Sequence, residues 1–261
     1  MKLTLYQVDA FTTEVFKGNP AAVCLLESWP DDELLQGIAA ENNLSETAFL
    51  VPRSKENYAL RWFTPTMEVD LCGHATLASA FVIFSFVDQD LSSVDFDTVS
   101  GQLSVAKSGE LLAMDFPARK PVPTEASAHL SAALGVTPLE VQKSRDLMAV
   151  FENEATIKAM TPDFAKLTQL EDTFAVIVTA PGDDCDFVSR LFAPGAGIPE
   201  DPVTGSSHCT LIPFWAERFG KTKLHARQVS QRGGELFCEL LNDRVRIAGQ
   251  AVLYLKGEIY L

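Results

Sequence analysis

Several absences narrow the reading of this chain before any motif is considered. No uninterrupted apolar run reaches the roughly 18 residues of a membrane-spanning helix. Cysteine is scarce and scattered, at positions 24, 72, 185, 209 and 238, with no C-x-x-C pair. That pattern supports neither a disulfide framework nor a zinc site. Basic residues are outnumbered, 21 Lys and Arg against 35 Asp and Glu, and the net charge of −14 argues against nucleic acid or an anionic membrane as partner. A phosphate-binding glycine loop is also missing. Gly195-Ala196-Gly197 follows no clear strand and lacks a third glycine. The first twenty residues carry Asp9 and Glu14 and lack the basic-then-apolar layout of a secretion signal. A cytoplasmic protein with reduced thiols is therefore expected.

What is present is a soluble-type composition, 47% hydrophobic and 21% charged, in 261 residues. That length suits one large domain or two of ordinary size. Strand-like stretches recur throughout, at Ala21 to Leu26, Leu44 to Pro52 and three short runs between Ser92 and Phe116, with alternation at Lys2 to Ala10 and Tyr58 to Phe63. Further strands are expected at 146–151, 174–179, 186–192, 224–230, 235–240, 244–248 and 251–255, with a Lys256-Gly257 turn before a last strand at 258–261. Helices are expected from Pro30 to about Asn43, at 126–134 closed by Gly135, at 164–168 capped by Asp163, and at 208–219 stopped by Gly220. Pro213 should kink the last of these. Pro117, Pro121 and Pro123 mark Arg119 to Thr124 as the linker. The domains are expected at 1–118 and 119–249, with a strand at about 250–261 available to return to the first.

The chain is organised around Leu71-Cys72-Gly73-His74-Ala75-Thr76-Leu77, which opens a run with hardly a charge as far as Phe86. A helix apolar on nearly every side belongs inside a core. Its first turn offers unpaired N–H groups and the positive end of the dipole, a ready site for a carboxylate or phosphate at Gly73, His74 and Ala75. About half the chain later, Pro202-Val203-Thr204-Gly205-Ser206-Ser207-His208 repeats the layout. Short strands with one apolar helix per half fit an α+β fold. The expected form is two similar domains, each a sheet wrapped around a central helix, with a cleft where the helix starts meet.

Four side chains stand out for chemistry. Glu46 lies between Leu44 and an apolar strand, where apolar neighbours disfavour its charged form, as suits a general acid–base. An exposed strand-edge glutamate is the plainer reading. His74 changes protonation near neutral pH, or is a structural histidine bonded to a loop carbonyl. Asp201 precedes the second helix start, either capping its loop or facing substrate. Gly205 and Ser206 would form a second anion cradle, though serine at a helix start is common. Cys72 and Cys209 each lie near a helix start. Two facing thiols would run a two-base racemisation, whereas a lone buried cysteine is core packing.

The stretches Val8-Asp9-Ala10-Phe11, Gly18-Asn19-Pro20-Ala21-Ala22-Val23, Asn43-Leu44-Ser45-Glu46-Thr47-Ala48-Phe49, Arg61-Trp62-Phe63-Thr64-Pro65, Leu71-Cys72-Gly73-His74, Glu200-Asp201-Pro202-Val203-Thr204-Gly205-Ser206 and Val229-Ser230-Gln231 together resemble the phenazine-biosynthesis PhzF-like family, within the diaminopimelate epimerase-like fold. The resemblance implies two pseudo-symmetric domains, each a β-barrel-like sheet around a central helix. It implies a homodimer, and isomerase chemistry with no metal and no organic cofactor on a small carboxylated substrate. The phenazine member isomerises a dihydro-hydroxyanthranilate. The family's acid–base glutamate matches Glu46, and its substrate-binding groups match Gly73, His74, Asp201, Gly205 and Ser206. Cys72 falls where related epimerases carry one catalytic cysteine, and the partner position falls near Thr204 rather than Cys209. The leading expectation is thus a single-glutamate isomerase. A two-cysteine amino-acid racemase and a non-enzymatic binder of small anions are the alternatives.

Overall fold

The structure, a computed structural model, describes residues 2–261. By compactness the chain divides into two units, Met1–Asp115 with Ala248–Leu261, and Phe116–Ile247. The first contains β1 (Lys2–Ala10), β2 (Asn19–Leu25), α1 (Asp32–Asn42), β3 (Glu46–Pro52), β4 (Asn57–Phe63), β5 (Glu68–Val69), α2 (Gly73–Val82), β6 (Ser93–Thr98), β7 (Gly101–Ser108) and β8 (Leu111–Pro117), which runs out of it. The second contains β9 (Val122–Thr124), α3 (Ala128–Leu134), β10 (Glu140–Lys143), β11 (Leu147–Val150), α4 (Glu154–Ala159), α5 (Phe164–Leu167), β12 (Val176–Pro181), β13 (Phe187–Ala193), β14 (Ile198–Asp201), α6 (Gly205–Phe219), β15 (Lys223–Gln228), β16 (Gly234–Leu241) and β17 (Arg244–Gly249). The last strand, β18 (Ala251–Tyr260), belongs to the first unit. Among the described residues no helix is long and apolar enough to cross a membrane.

In the first unit β1 lies between β2 and β18, antiparallel to both. From Glu46 to Val51 every residue of β3 is buried, because a helix covers each face of the sheet. Alternation sends Thr47, Phe49 and Val51 to one side. Phe49 and Val51 join Leu35 and Ile38 of α1 in one cluster. Glu46, Ala48 and Leu50 point the other way, toward α2. That helix is apolar all round and packs on β1, β2, β3 and β18. In the second unit β12 is covered similarly. Val176, Val178 and Ala180 pack with Leu130, Ile157 and Leu167 of α3, α4 and α5. On the opposite face Thr179 accepts a hydrogen bond from Trp215 Nε1 of α6 at 3.0 Å.

The two units repeat one topology. In the first, β2 is parallel to β3, β3 antiparallel to β4, β4 antiparallel to β5 and parallel to β6, and β6 antiparallel to β7. In the second, β11, β12, β13, β14, β15 and β16 follow the same series of pairings. Side chains repeat as well. Arg61 on β4 forks onto both oxygens of Glu68 on β5, and Arg190 on β13 forks onto both oxygens of Glu200 on β14. Ser100 Oγ donates to the Asp70 carbonyl at 2.8 Å and Ser230 Oγ to the Pro202 carbonyl at 2.7 Å. The sequence carries a trace of this in Arg61-Trp62-Phe63-Thr64-Pro65 and Arg190-Leu191-Phe192-Ala193-Pro194.

Two expectations need correction. The segment after residue 250 is one strand with no turn at Lys256-Gly257. Its pairing to β1 runs from Ala10↔Ala251 to Lys2↔Tyr260 and absorbs an irregularity as a bulge at Gln7/Val8. Within the Pro-rich linker, Val122–Thr124 forms β9 against β10, an edge position where Pro123 removes no ladder bond that is needed. Pro213, the residue expected to kink α6, lies inside a helix that runs from Gly205 to Phe219. Pro213 has no N–H for the Cys209 carbonyl, and the Arg119 N–H fills that place at 2.8 Å.

Candidate active site

The first unit gathers Glu46, Cys72 and His74 beneath the start of α2. Glu46 is the first residue of β3 and sits beside Ala21 of β2 in parallel register. Cys72 is the N-cap of α2, with extended backbone and no side-chain cap. Thr76 Oγ1 turns back onto the Cys72 carbonyl at 2.6 Å and fixes this turn. The helix therefore begins with the N–H groups of Gly73, His74 and Ala75 outside its own ladder.

His74 Nε2 lies 3.0 Å from Glu46 Oε2, and its Nδ1 lies 3.1 Å from Asn19 Nδ2 and 3.5 Å from Cys72 Sγ. Asn19 is fully buried and receives a bond from Ser45 Oγ at 3.2 Å. With the Asn19 amide donating, the ring carries its proton on Nε2. Turned over, the amide would accept from a doubly protonated ring. In both cases Nε2–H faces the carboxylate. Burial by itself would favour the neutral ring, but the Cys72 and Glu46 side chains outweigh it and hold the His74 proton well above the ordinary imidazole range. Burial also pushes the Cys72 thiol up to about 11. The thiol is therefore neutral at physiological pH.

Glu46 Oε2 is buried, and the His74 ring nitrogen is the polar group set against it, at ion-pair distance.

The second unit builds a different site at the start of α6. Asp201 ends β14, and Thr204 Oγ1 donates to its carboxylate. Gln228 on β15 clamps this turn. It accepts from the Thr204 N–H at 2.9 Å and donates to the Asp201 carbonyl at 2.8 Å. Gly205 and Ser206 then open the helix, Gly205 buried and Ser206 half-buried. His208 is spent internally. Its Nδ1 lies 2.8 Å from the Thr204 carbonyl, and burial lowers its pKa to about 4, so the ring is neutral.

The repeat shows what the second unit lacks. Arg61 is paired with Phe49 and Arg190 with Val178, so three residues upstream Glu46 corresponds to Ala175. Cys72, one residue before Gly73, corresponds to Thr204, one residue before Gly205. The acid and the thiol occur once. Glu46, Gly73 and His74 thus stand together in one unit, and Asp201, Gly205 and Ser206 in the other. Asn19 and Gln228 are not among the site residues expected from the sequence, although Asn19 lies within Gly18-Asn19-Pro20-Ala21-Ala22-Val23 and Gln228 adjoins Val229-Ser230-Gln231, two of the motif stretches. Among the described residues, the group whose side chains could hold a metal ion is Glu46, Cys72 and His74, with ligand atoms within 4.8 Å of one another.

Comparison with known proteins places this arrangement. The family model for phenazine biosynthesis-like protein matches residues 8–257. A Pseudomonas aeruginosa protein named as an uncharacterized isomerase is 52% identical over 261 residues, covering 100% of both chains. The crystal structure of a PhzF-family protein from Enterococcus faecalis superposes with a TM-score of 0.98 at 50% identity over 100% of both chains. A hydroxyproline epimerase from Agrobacterium vitis shares the fold, with a TM-score of 0.63 at 10% identity over 99% of this chain and 92% of that one. The fold is thus the α+β, diaminopimelate epimerase-like one, and the chain belongs to the phenazine biosynthesis-like (PhzF) protein family, as one of its isomerases.

Proposed function

We propose that this isomerase moves a carbon-bound proton on a small carboxylated metabolite by acid–base catalysis through Glu46 alone. The reading rests on one observation above others: a glutamate, Glu46, is buried beneath the start of α2 with Oε2 3.0 Å from His74 Nε2, while its counterpart in the repeat is Ala175. In this reading the carboxylate takes a proton from one carbon of the substrate and returns it to another. The electron pair left on carbon is delocalised toward the substrate's own carboxyl or carbonyl group. The N–H groups at Gly73 and the protonated His74 stabilise the developing charge. Asp201, Gly205 and Ser206 supply the substrate contacts contributed by the second unit. Two-thiol racemisation is disfavoured, since Thr204 stands where a second cysteine would be needed.

Glu46→Gln keeps the shape and removes the proton acceptor. Turnover should fall by about 10²–10⁴-fold or more, with ligand affinity nearly unchanged. Full retained turnover would reject the assignment. The substrate is best sought by screening small cyclic and amino carboxylic acids for enzyme-dependent uptake of solvent deuterium.

A further inference from the structure

Proton transfer by Glu46 leaves Cys72 without a task, although its sulfur lies against His74. We propose that Glu46, Cys72 and His74 also form a binding site for a thiophilic divalent cation, Zn2+ foremost, and that the bound cation blocks the acid–base and switches the enzyme off. Only the second clause rests on the functional reading above.

The distances suit such an ion. Zinc bonds of about 2.0 Å to nitrogen or oxygen and about 2.3 Å to sulfur set tetrahedral ligand atoms roughly 3.3–3.7 Å apart. Here His74 Nε2 is 3.0 Å from Glu46 Oε2 and 3.9 Å from Cys72 Sγ. These bracket the required spacing, so side-chain adjustment alone would open the site to an ion. A cation entering between Glu46 Oε2 and His74 Nε2 replaces the one ion-pair contact they make with each other. The supporting backbone is already held: Cys72 by Thr76, Glu46 by a strand buried on both faces, and His74 within the first turn of α2. With its amide turned to accept, Asn19 would take the Nδ1–H of the ring, the support ordinarily found behind a metal-bound imidazole, and the cation would displace the Nε2 proton to solvent.

The donor set decides the class of ion. Binding displaces the Cys72 thiol proton to solvent, and the resulting thiolate, carboxylate and imidazole match a divalent charge and favour zinc-like metals over Mg2+ or Ca2+, which prefer oxygen shells. The start of α2 opposes a cation with a partial charge only, against two full anionic ligands at bonding distance. Three protein ligands leave a fourth position for water. A Glu46 oxygen committed to the metal no longer has its lone pair for a carbon-bound proton.

The test uses the full chain, stripped of metal with a chelator and titrated with Co2+ and then Zn2+. Binding of one equivalent should produce the near-ultraviolet cobalt–thiolate band, and Zn2+ should abolish it. The band should be missing in Cys72→Ser and intact in Cys185→Ser. Zinc affinity measured by calorimetry should drop at least about tenfold in His74→Gln and in Glu46→Gln, which also covers the case of a poorly folded Cys72 variant. A missing band, a band that survives Cys72→Ser, or one lost with Cys185→Ser overturns the site. None of these readings needs substrate, so they stand apart from the turnover test of Glu46. One equivalent of Zn2+ should also stop the deuterium exchange found by the screen. Exchange that continues with the site filled overturns the switch.

Discussion

Gly18 and Gly37 offer the same chemical change with opposite expected sign. Gly18 holds φ +62° at the entry to β2, and a Cβ built there would meet the Ala10 carbonyl oxygen at 2.1 Å and Thr12 Cγ2 at 2.7 Å. The left-handed backbone alone costs a non-glycine residue about 1–2 kcal/mol. The collision is with backbone, so the chain must move, adding about 1–3 kcal/mol as in other overpacked sites. Gly18→Ala should therefore lose roughly 2–5 kcal/mol of stability. Displacement also carries Asn19 with it, and a bond already at 3.1 Å to His74 Nδ1 does not survive a further half-ångström or so. Gly37 lies exposed within α1, and a Cβ there meets nothing within 4 Å. Gly37→Ala should gain about 0.5–1 kcal/mol from the helix preference of alanine. Urea denaturation of both variants, with ring-nitrogen NMR of His74, reads all three effects. If Gly18→Ala unfolds within about 1 kcal/mol of the parent, short of the loss expected from the collision, and leaves the His74 resonances in place, the link from that turn to the site is wrong.

Other consequences follow from the same structure. Arg190→Ala strands the Glu200 carboxylate and the carbonyls of Ile157 and Met160, and should cost about 3 kcal/mol or more. Its repeat partner Arg61 is more exposed, at 25% against 11%, and Arg61→Ala should cost about 1 kcal/mol. Equal losses in chemical denaturation would contradict the difference. At neutral pH the NMR-detected ring of His74 should be protonated and that of His208 neutral. Because the folded pKa of His74 is raised, its stabilising contribution is complete below the ordinary value of 6.5 and is lost as pH climbs through the folded value. For His208 the sign reverses. Between pH 6.5 and about 4 the unfolded ring takes a proton that the folded one refuses, so acidification should remove up to about 3 kcal/mol, a slope that His208→Asn should lack. Of the five free cysteines only Cys185 is not fully buried. A colorimetric disulfide reagent should titrate that thiol first in the folded protein and all five in denaturant, and earlier reaction of Cys72 would refute its placement.

Much of this protein is written locally. The alternation of β1, β3 and β4, the left-handed Asn43 that ends α1, the Ser127 and Asp163 caps, and Gly135 and Gly220 at helix ends are decided by neighbours a few residues away. The unbroken apolar face of Leu71 to Phe86 announced a buried helix with an exposed-dipole start, and the motifs around Glu46, His74 and Asp201 carried the family. Other features depend on residues far apart in the chain. A Lys256-Gly257 step reads as a turn until β1 supplies partners along the whole of β18. Pro213 removes one helical hydrogen bond, and only the fold shows that the Arg119 N–H satisfies the carbonyl it leaves open. The duplication was faint as letters and became plain as register, where Glu46 aligns with Ala175 and Cys72 with Thr204. Which nitrogen of His74 faces Glu46, and that Asn19 sits behind the other, were decided only by tertiary structure. A hydrogen-bond partner 55 residues away is chosen by the packing of α2 on β2, and no local pattern encodes that choice.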